Sequence, residues 1–474
     1  METTTTMQIL RATIGNPAAR KILHGVSCFC ENCQKNRIEV ALELYTGVRK
    51  DACLKCRLAE KAISGILKAG SSAFGVSSNQ MKEKFSDPSW RKGLTSVLMG
   101  VAKFGVQRPF ISGVPFLVVW DVTYACNLKC KHCYANAGVP LEDELTTEEA
   151  KQTIDKLDHA SVPIIAFSGG EPLVRKDFLE LAKYTHDKGI YVAVATNGTL
   201  ITKSKAREMK EAGIQFTQIS LDGASAKTHD NFRGIEGVYE KTIQGIKNCV
   251  NEGFFVNIAT TATKYNYKEV PKIMDLCEEL GVNWLMAYNF VPTGRGKFIS
   301  ENDLTPAERE QVLKDLWTKL KNGGKVSVLS TAPQFARVAL EAEVGLNEKI
   351  VPTHFFNPRL SDKLVNLAEF IGGCGCGRFY CAIRPNGNIE PCVFFPLTVG
   401  NIKEDDFEDL WINNSVLKNL RNKDILEGNC GKCDYRYYCG GCRARAYGYT
   451  GNYLAPDPGC IINKEFWEER DSKK

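Results

Sequence analysis

The chain has 474 residues, of which 61 are Lys or Arg and 55 are Asp or Glu, giving a formal charge of +6. This excess is too small and too diffuse for a nucleic-acid-binding surface. No apolar run is long enough to span a bilayer, and the first residues lack the charge, apolar stretch and cleavage site of a signal peptide. We therefore expect a cytoplasmic protein that binds no nucleic acid.

The 19 cysteines are the most informative part of the composition. They form tight groups within 28–56, 126–133 and 374–460, and an odd number without an export signal argues against disulfides. Grouped thiols in a reducing compartment are typical of metal or iron–sulfur sites. Cys249 and Cys277 stand apart in predicted helices, and we interpret them as buried structural thiols.

Residues 1–113 form a first unit that begins with a cysteine module. Its C-x2-C-x19-C-x2-C spacing matches the two knuckles of a zinc ribbon or a rubredoxin-like site. The four predicted ligands of a zinc or mononuclear iron ion are Cys30, Cys33, Cys53 and Cys56. Cys28 and His24 are spare.

A later stretch of this unit predicts an amphipathic helix with basic residues beside its apolar face. The apolar residues are Trp90, Leu94, Val97, Leu98, Val101 and Phe104, and the basic ones are Arg91, Lys92 and Lys103. Such a helix either packs on the next domain or lies on a membrane surface. The second alternative predicts a peripheral membrane contact and a lipid substrate.

Residues 114–300 alternate short β-branched runs with helical stretches, the pattern of βα units and a parallel sheet. The predicted strands are Val114–Thr123, Ile164–Gly170, Tyr191–Gly198, Phe216–Gly223, Phe254–Thr263 and Asn283–Val291. Six units are too few for an eight-fold barrel, so a partial barrel or an open doubly wound sheet is expected. In either fold the ligand site lies at the carboxyl ends of the strands.

Two motifs follow the first two predicted strands. The first places Cys126, Cys130 and Cys133 within eight residues. These thiolates can ligate three irons of a [4Fe–4S] cube and leave the fourth iron open, although a zinc site short of one ligand is an alternative. The second motif, 168–172, reads SGGEP, in which glycines allow close backbone approach and the Glu171 carboxylate can receive an amine.

Together, CxxxCxxC and GGEP resemble the radical S-adenosylmethionine (radical SAM) superfamily over about 115–295. The resemblance implies an α/β fold with a partial (β/α)6 barrel, in which the three cysteines hold the catalytic cluster and its open iron chelates S-adenosylmethionine. It further implies cofactor contacts from His132 to adenine, from Gly169, Gly170 and Glu171 to the methionine amine, from Thr196, Asn197, Ser220 and Asp222 to ribose and methionyl parts, and from Arg233 to the carboxylate.

The chemistry that the resemblance implies is reductive cleavage of S-adenosylmethionine to a 5′-deoxyadenosyl radical. This radical abstracts hydrogen from an unactivated carbon, so the barrel has to exclude other hydrogen donors. An electron donor such as ferredoxin or flavodoxin and anaerobic conditions are implied as well. A non-catalytic iron–sulfur electron carrier is the alternative from another class.

The remaining chain is predicted as a helical bridge, 301–372, and a loop-rich domain, 373–474, that needs metal for stability. The cysteine order and the GxxxxC at Gly387–Cys392 resemble the SPASM extension of radical SAM enzymes. This resemblance implies two auxiliary [4Fe–4S] clusters, one held by Cys376, Cys381, Cys392 and Cys442, and the other by Cys430, Cys433, Cys439 and Cys460. A zinc-stapled domain is the alternative.

The C-terminal cysteines depart from the usual SPASM pattern in two ways. Only two residues separate Cys439 from Cys442, where three are common, and Cys374 is an extra candidate ligand. The choice between Cys374 and Cys376 therefore stays open, as does an open iron on either cluster.

Two further segments, Asn289–Gly296 and Gly441–Tyr447, resemble the SPASM enzymes of heme and heme d1 biosynthesis, although those enzymes lack the N-terminal module. A tetrapyrrole side chain is the slightly preferred substrate, with a membrane lipid and a peptide or protein as alternatives. Arg295, Arg443 and Arg445 either grip a substrate carboxylate or phosphate, or form ion pairs within the protein.

Overall fold

A computed structural model of the chain describes residues 11–12, 14–74, 77–344, 348–352, 359–361 and 367–472. Its N-terminal elements are α1 (Pro17–Val26), β1 (Phe29–Cys30), β2 (Lys35–Asn36), α2 (Arg37–Thr46), α3 (Leu54–Phe74), α4 (Ser78–Ser86) and α5 (Pro88–Phe104). Asparagine side chains cap α1 and α2, since Asn16 and Asn36 accept hydrogen bonds from backbone amides of the first turn.

Helix α5 is the amphipathic helix that the sequence predicts, and it packs inside the molecule. Leu98 and Val101 of its apolar face lie in the main hydrophobic core. Lys92 is buried as well, and its Nζ lies 2.5 Å from Asp158 and 3.5 Å from Glu39. Most of the face that would have contacted lipid is therefore covered by protein, and Trp90 at its amino end is the exception, with 54% of its surface exposed.

The centre of the molecule is a parallel sheet flanked by helices. Its first strands are β3 (Leu117–Asp121), β4 (Ile164–Ser168), β5 (Tyr191–Thr196), β6 (Ile214–Ser220), β7 (Phe255–Ala262) and β8 (Trp284–Asn289). They alternate with α6 (Thr147–His159), α7 (Phe178–Asp187), α8 (Lys203–Glu211), α9 (Ala226–Arg233), α10 (Val238–Asn251) and α11 (Val270–Leu280). These six strands pair in parallel and in chain order, which confirms the predicted α/β class.

The C-terminal part adds strands to both sides of this sheet. Its elements are α12 (Pro306–Asn322), β9 (Ser327–Ser330), α13 (Gln334–Ala342), β10 (Glu348–Ile350), β11 (Arg359–Ser361), α14 (Leu367–Ile371), β12 (Tyr380–Ile383), β13 (Asn388–Glu390), β14 (Gly400–Asn401), α15 (Phe407–Asn413), α16 (Ser415–Arg421), α17 (Gly428–Lys432), α18 (Arg443–Thr450) and α19 (Lys464–Ser472). Strand β9 pairs in parallel with β8, and β12 pairs in parallel with β3. The sheet order is β14-β13-β12-β3-β4-β5-β6-β7-β8-β9.

Strands β9 and β12 are absent from the sequence prediction, which treats their segments as a helical bridge and a loop-rich domain. Each has four residues. Runs that short carry little periodicity, and only pairing with β8 and β3 makes them strands. The end strands β9 and β14 do not pair with each other in the described sheet, so the barrel is partial, as expected.

The two faces of the parallel strands differ in exposure. Side chains on the helix side, such as Trp120 and Phe167, are fully buried, and Phe167 packs on Phe178 of α7. The alternate residues face inward and are partly exposed, among them Ala166 of β4, Gln218 of β6 and every second residue of β8. The barrel interior is therefore an accessible lumen. A packed core would have buried these side chains.

Nowhere among the described residues is a helix both long enough and apolar enough to cross a membrane.

Candidate active site

The three-cysteine loop leaves the carboxyl end of β3 and lies at the mouth of the lumen. Cys126, Cys130 and Cys133 contact one hydrophobic cluster together with Leu128 and Val238. Three different donors face their sulfur atoms. The Leu128 amide lies 3.4 Å from Cys126 Sγ, the Ala137 amide 3.4 Å from Cys133 Sγ, and Arg233 Nη1 3.6 Å from Cys130 Sγ.

This donor set suits an iron–sulfur cluster. The pKa of Cys126 is raised to about 12, chiefly by burial and to a smaller extent by the neighbouring Cys130 and Cys133. Burial raises the pKa of Cys130 as well, and a buried thiol of raised pKa loses its proton when it binds a metal, while the N–H groups around the sulfurs favour thiolate. The loop therefore offers three ligands and leaves a fourth position free.

The GGEP motif supports this loop from the end of β4. Gly169 has a φ of 135°, and a Cβ there would lie 2.3 Å from the carbonyl oxygen of Thr123. A Cβ on Gly170 would lie 2.1 Å from the carbonyl oxygen of Ala125. The amides of Gly170 and Glu171 donate to these same two oxygens, at 2.7 and 2.9 Å. The glycines thus let the two strand ends meet immediately before Cys126.

Glu171 is fully buried and ties the motif to β5. Its carboxylate accepts hydrogen bonds from Thr196 Oγ1 at 2.8 Å, the Asn197 amide at 2.8 Å and the Leu173 amide at 3.2 Å. Burial raises the pKa of Glu171, and these hydrogen bonds oppose the rise. The side chain thus spends most of its acceptor capacity on the protein and leaves little for a cofactor amine.

A second charged group lies at the carboxyl ends of β6 and α9. Arg233 Nη2 lies 2.5 Å from Asp222 Oδ2, and the same guanidinium reaches Cys130. Burial opposes the charge of Arg233, but Asp222 and Cys130 raise its pKa above the ordinary value. His132 lies 3.5 Å from Asp222 and stacks on Phe232, with ring centroids 4.1 Å apart.

Burial and two nearby arginines keep the pKa of His132 well below its ordinary value, so the ring is neutral. A neutral ring beside the cluster loop suits the contact with adenine predicted for His132. Ser220 ends β6 on the inward-facing side and is half-buried. The predicted residues from Cys126 to Arg233 therefore come together at one end of the barrel.

Asn127 and Thr199 also belong to this region, although no sequence motif predicts them. Asn127 Oδ1 accepts from Asn197 Nδ2 at 2.8 Å, and Asn127 Nδ2 donates to Thr199 Oγ1 at 2.9 Å. They fix the cysteine loop to the end of β5. The position of Asn127 between two cysteines is the only signal that could have indicated them.

The three arginines proposed to grip a substrate are used within the protein. Arg295 donates to the backbone carbonyls of Cys130 and Ala137 and so holds the cluster loop. Arg443 donates to the carbonyls of Tyr453 and Ala455, and it is fully buried. Arg445 is fully buried as well, with Nη2 at 2.9 Å from Asp303 and Nε at 3.4 Å from Asp457. Only Arg445 forms the ion pairs of the second alternative, and Arg295 and Arg443 bind backbone carbonyls instead.

Four C-terminal cysteines line a single cavity, namely Cys430, Cys433, Cys439 and Cys460. This is the set that the SPASM resemblance assigns to one auxiliary cluster. The pKa of Cys460 is raised to about 12, chiefly by burial and to a smaller extent by Asp457 and Cys430. Four thiols around one cavity, three of them buried and that of Cys433 partly exposed, fit a [4Fe–4S] cluster.

The other C-terminal group differs from the expectation at one position. Cys376 lowers the pKa of Cys374, and, beside burial, Cys374 and Cys392 raise the pKa of Cys376 and of Cys442, so these thiols are neighbours. Cys381 lies instead within β12, where it is paired with Val118 of β3. Burial raises its pKa, and the charged group that acts on it is Arg421. Cys374 thus lies with Cys376, Cys392 and Cys442, whereas none of these thiols contributes to the raised pKa of Cys381.

The N-terminal module forms a compact four-thiol site. The sulfur atoms of Cys30, Cys33, Cys53 and Cys56 all lie within 4.8 Å of one another. In each pair, the backbone amide of the second cysteine donates to the carbonyl of the first, at 3.0 Å. This is the knuckle geometry that the spacing predicts, and it suits a tetrahedral metal ion. Cys28 is exposed and lies outside the group.

Two family models match the chain. One describes the radical SAM superfamily and covers residues 120–277, and the other describes an iron–sulfur cluster-binding domain, SPASM, and covers 374–434. The N-terminal module lies outside both. These models imply S-adenosylmethionine and [4Fe–4S] clusters as cofactors, and the four-thiol module is a further candidate metal site.

Curated relatives extend the match over most of the chain. The AdoMet-dependent heme synthase of Methanosarcina barkeri is 38% identical over 74% of this chain and 97% of its own length. The Fe-coproporphyrin III synthase of the same organism is 34% identical, over 74% and 88%. The pre-heme d1 synthase of Dinoroseobacter shibae is 32% identical, over 73% and 86%.

Among solved structures, Streptococcus suis SuiB bound to its precursor peptide SuiA matches with a TM-score of 0.63 at 17% identity, over 89% of this chain and 92% of that one. This likeness concerns the fold alone. The relatives and the first family model agree with the geometry at the mouth of the lumen: the chain belongs to the radical SAM superfamily of enzymes and carries a SPASM domain.

Proposed function

We propose that this radical SAM enzyme abstracts a hydrogen atom from a side chain of a tetrapyrrole. The observation that carries the proposal is the three-cysteine loop at the mouth of an accessible lumen, in a chain that spans 97% of a heme synthase. When bound, the cluster and S-adenosylmethionine supply a 5′-deoxyadenosyl radical that removes hydrogen from an unactivated carbon.

The roles of the residues follow from their contacts. Cys126, Cys130 and Cys133 would ligate the catalytic cluster, and Arg233 would balance the negative charge beside Cys130. His132 would contact the adenine. The remaining predicted cofactor residues would shape and hold the S-adenosylmethionine site, namely Gly169, Gly170, Glu171, Thr196, Asn197, Ser220 and Asp222.

The C-terminal cysteines would hold two auxiliary clusters. One set is Cys430, Cys433, Cys439 and Cys460, and the other is Cys374, Cys376, Cys392 and Cys442, in place of the set with Cys381. We also infer four units, 1–113, 114–300, 301–372 and 373–474, and a cytoplasmic ferredoxin or flavodoxin as electron donor.

The radical chemistry is tested on anaerobically reconstituted, reduced protein. S-adenosylmethionine should be cleaved to 5′-deoxyadenosine, and Cys126→Ala should abolish this product, because the cluster loses a ligand. Cys28→Ala is the matched control, since Cys28 is an exposed thiol outside the predicted sites. Retained cleavage in Cys126→Ala would contradict the assignment.

The substrate class is tested with iron coproporphyrin III, which the names of the relatives suggest as a porphyrin of this chemistry. Mass spectrometry should detect a porphyrin product whose amount follows that of 5′-deoxyadenosine. Cleavage of S-adenosylmethionine without any change in the porphyrin would overturn this choice of substrate while leaving the radical chemistry intact.

A further inference from the structure

The lumen is closed at its deep end by aromatic side chains. Phe216 of β6 and Phe255 of β7 stack with ring centroids 5.5 Å apart, and Trp284 of β8 meets Phe255 edge-on at 4.8 Å. These residues occupy the amino ends of their strands, opposite to the cluster loop. A substrate that enters from the mouth therefore meets an apolar floor.

Above this floor lies a group of uncharged polar side chains from the same three strands. Gln218 Oε1 accepts two hydrogen bonds, from the Tyr288 hydroxyl at 2.9 Å and from Asn257 Nδ2 at 3.1 Å. The reverse orientation of the Gln218 amide would require the Asn257 amide to turn over as well and the Tyr288 hydroxyl to accept, so the orientation described here is the one in which Oε1 takes both hydrogen bonds. Its Nε2 therefore points away from Asn257 and Tyr288.

The donors of Gln218 Nε2 are not used by any other described residue, and the side chain is partly exposed to the lumen. Asn257 is fully buried, and its Oδ1 has no hydrogen-bond partner among the described residues. Asn257 Oδ1 is enclosed by protein, whereas Gln218 Nε2 belongs to a side chain that is open to the lumen, so Nε2 is the donor left for a polar group of a ligand.

The group lies between the two kinds of cluster site. Burial raises the pKa of Tyr288 to about 12, and Cys392 adds to the rise, so the phenol keeps its proton and remains a donor to Gln218. Phe394, whose amide donates to Cys392 Sγ, lies 6.1 Å from the Tyr288 ring and 5.1 Å from Tyr134. Tyr134 directly follows Cys133 in the cluster loop.

We propose that Gln218 binds the substrate within the lumen and donates Nε2–H to a carboxylate or carbonyl oxygen of it. Tyr288 and Asn257 are positioning residues that hold this amide in one orientation. The proposal rests on the proposed function, since it needs a substrate in the lumen. If Gln218 holds an oxygen of the substrate below the mouth of the lumen, the carbons next to that oxygen face the cofactor.

The test compares wild type with Gln218→Leu and Tyr288→Phe, using iron coproporphyrin III as the probe. Gln218→Leu should raise KM about tenfold, which corresponds to about 1.4 kcal/mol for a lost hydrogen bond to the substrate. The amount of 5′-deoxyadenosine formed per product should rise as well, because a poorly held substrate is missed by the radical. Tyr288→Phe should also raise KM and the amount of 5′-deoxyadenosine formed per product, but by less. This variant removes only the hydroxyl group and keeps the aromatic ring in place.

Gln311→Leu is the control, because Gln311 is exposed on α12 and bonds only Asp315. Iron content per chain checks that each variant carries its clusters. If wild type leaves the porphyrin unchanged, the proposed tetrapyrrole function fails and this inference fails with it. If wild type converts the porphyrin and both lumen variants keep its KM and its product ratio, this inference alone is overturned.

Discussion

Two neighbouring glycines show how single residues shape this active site. A Cβ on Gly169 or Gly170 would collide with backbone atoms that no rotamer change can move. The backbone in question is the segment that leads into Cys126, so a collision there displaces the cluster loop. The first role of the two glycines is thus to let two strand ends pack closely together. The predicted contacts of the motif with the cofactor depend on this packing.

We expect Gly170→Ala to lower the iron bound by the catalytic site and the cleavage of S-adenosylmethionine. The added methyl group would lie 2.1 Å from the Ala125 oxygen, a distance that forces the loop to shift. Gly138→Ala is the matched control in the same loop, because its Cβ would meet no atom within 4 Å. Iron analysis and 5′-deoxyadenosine formation measure the difference, and equal values for the two variants would contradict it.

A second residue-scale prediction concerns Cys374 and Cys381. We expect Cys374→Ala to lose one auxiliary cluster, because Cys374 is a neighbour of Cys376 and contributes to the raised pKa of Cys442. Cys381→Ala should keep its clusters, since Cys381 lies on β12 with Arg421 as its charged neighbour. Iron content and electron paramagnetic resonance of the reduced variants decide between them, and the opposite result would restore the original assignment.

At the scale of elements, the N-terminal module is fastened to the barrel through α5 and α2. Glu39 and Glu43 of α2 are buried, and their partners include Lys92 and Arg91 of α5. Phe29 stacks on His159 at the end of α6, with ring centroids 3.8 Å apart. The contacts lie next to the amino end of β4, on the side of the sheet opposite to the cluster loop. The module therefore supports the fold from the far side.

Removal of the metal from this module should loosen it. We expect Cys53→Ser to lose one equivalent of zinc or iron and to become sensitive to protease within residues 28–63, because α2 and α3 are joined through the four thiols. Cys28→Ser should behave as wild type. Elemental analysis and limited proteolysis check both variants, and full retention of metal by Cys53→Ser would rule out the site.

For the whole molecule, the decisive feature is that one sheet crosses the predicted unit boundaries. Strand β12 extends the sheet beside β3, and Arg384, one residue beyond β12, ion-pairs with Asp121 at the end of β3 at 2.6 Å and with Glu390 of β13. Tyr134 donates to the same Asp121 at 2.9 Å. The C-terminal strands, β3 and the cysteine loop thus share one buried charged network.

Arg384→Met should destabilise the whole chain, because it leaves two buried carboxylates without their cation. Loss of one partner of a buried ion pair costs about 3–5 kcal/mol. Lys183→Met removes an exposed ion pair with Asp187 and should change stability by less than about 0.5 kcal/mol. Anaerobic urea unfolding followed by tryptophan fluorescence compares them, and similar midpoints would show that the network contributes little.

The sequence by itself determined the superfamily, the six central strands and most of the ligand groups. Their signals are local: spacing of cysteines in a loop, glycines after a strand, and alternation of strands with helices. Such patterns can be read from the sequence because each depends on residues that are close along the chain or within one element. The four-thiol module is the clearest case.

Only the tertiary structure decided the remaining points, because they depend on residues far apart in the chain. Pairing with β8 and β3 makes β9 and β12 strands, burial against the barrel places α5 in the core, and packing brings Cys374 near Cys442. The hydrogen-bonded side chains of Gln218 and Asn257 in the lumen likewise come together only when β6, β7 and β8 lie side by side. The spacing of residues along the chain does not predict such contacts, because the partners come within hydrogen-bond distance only when the chain folds.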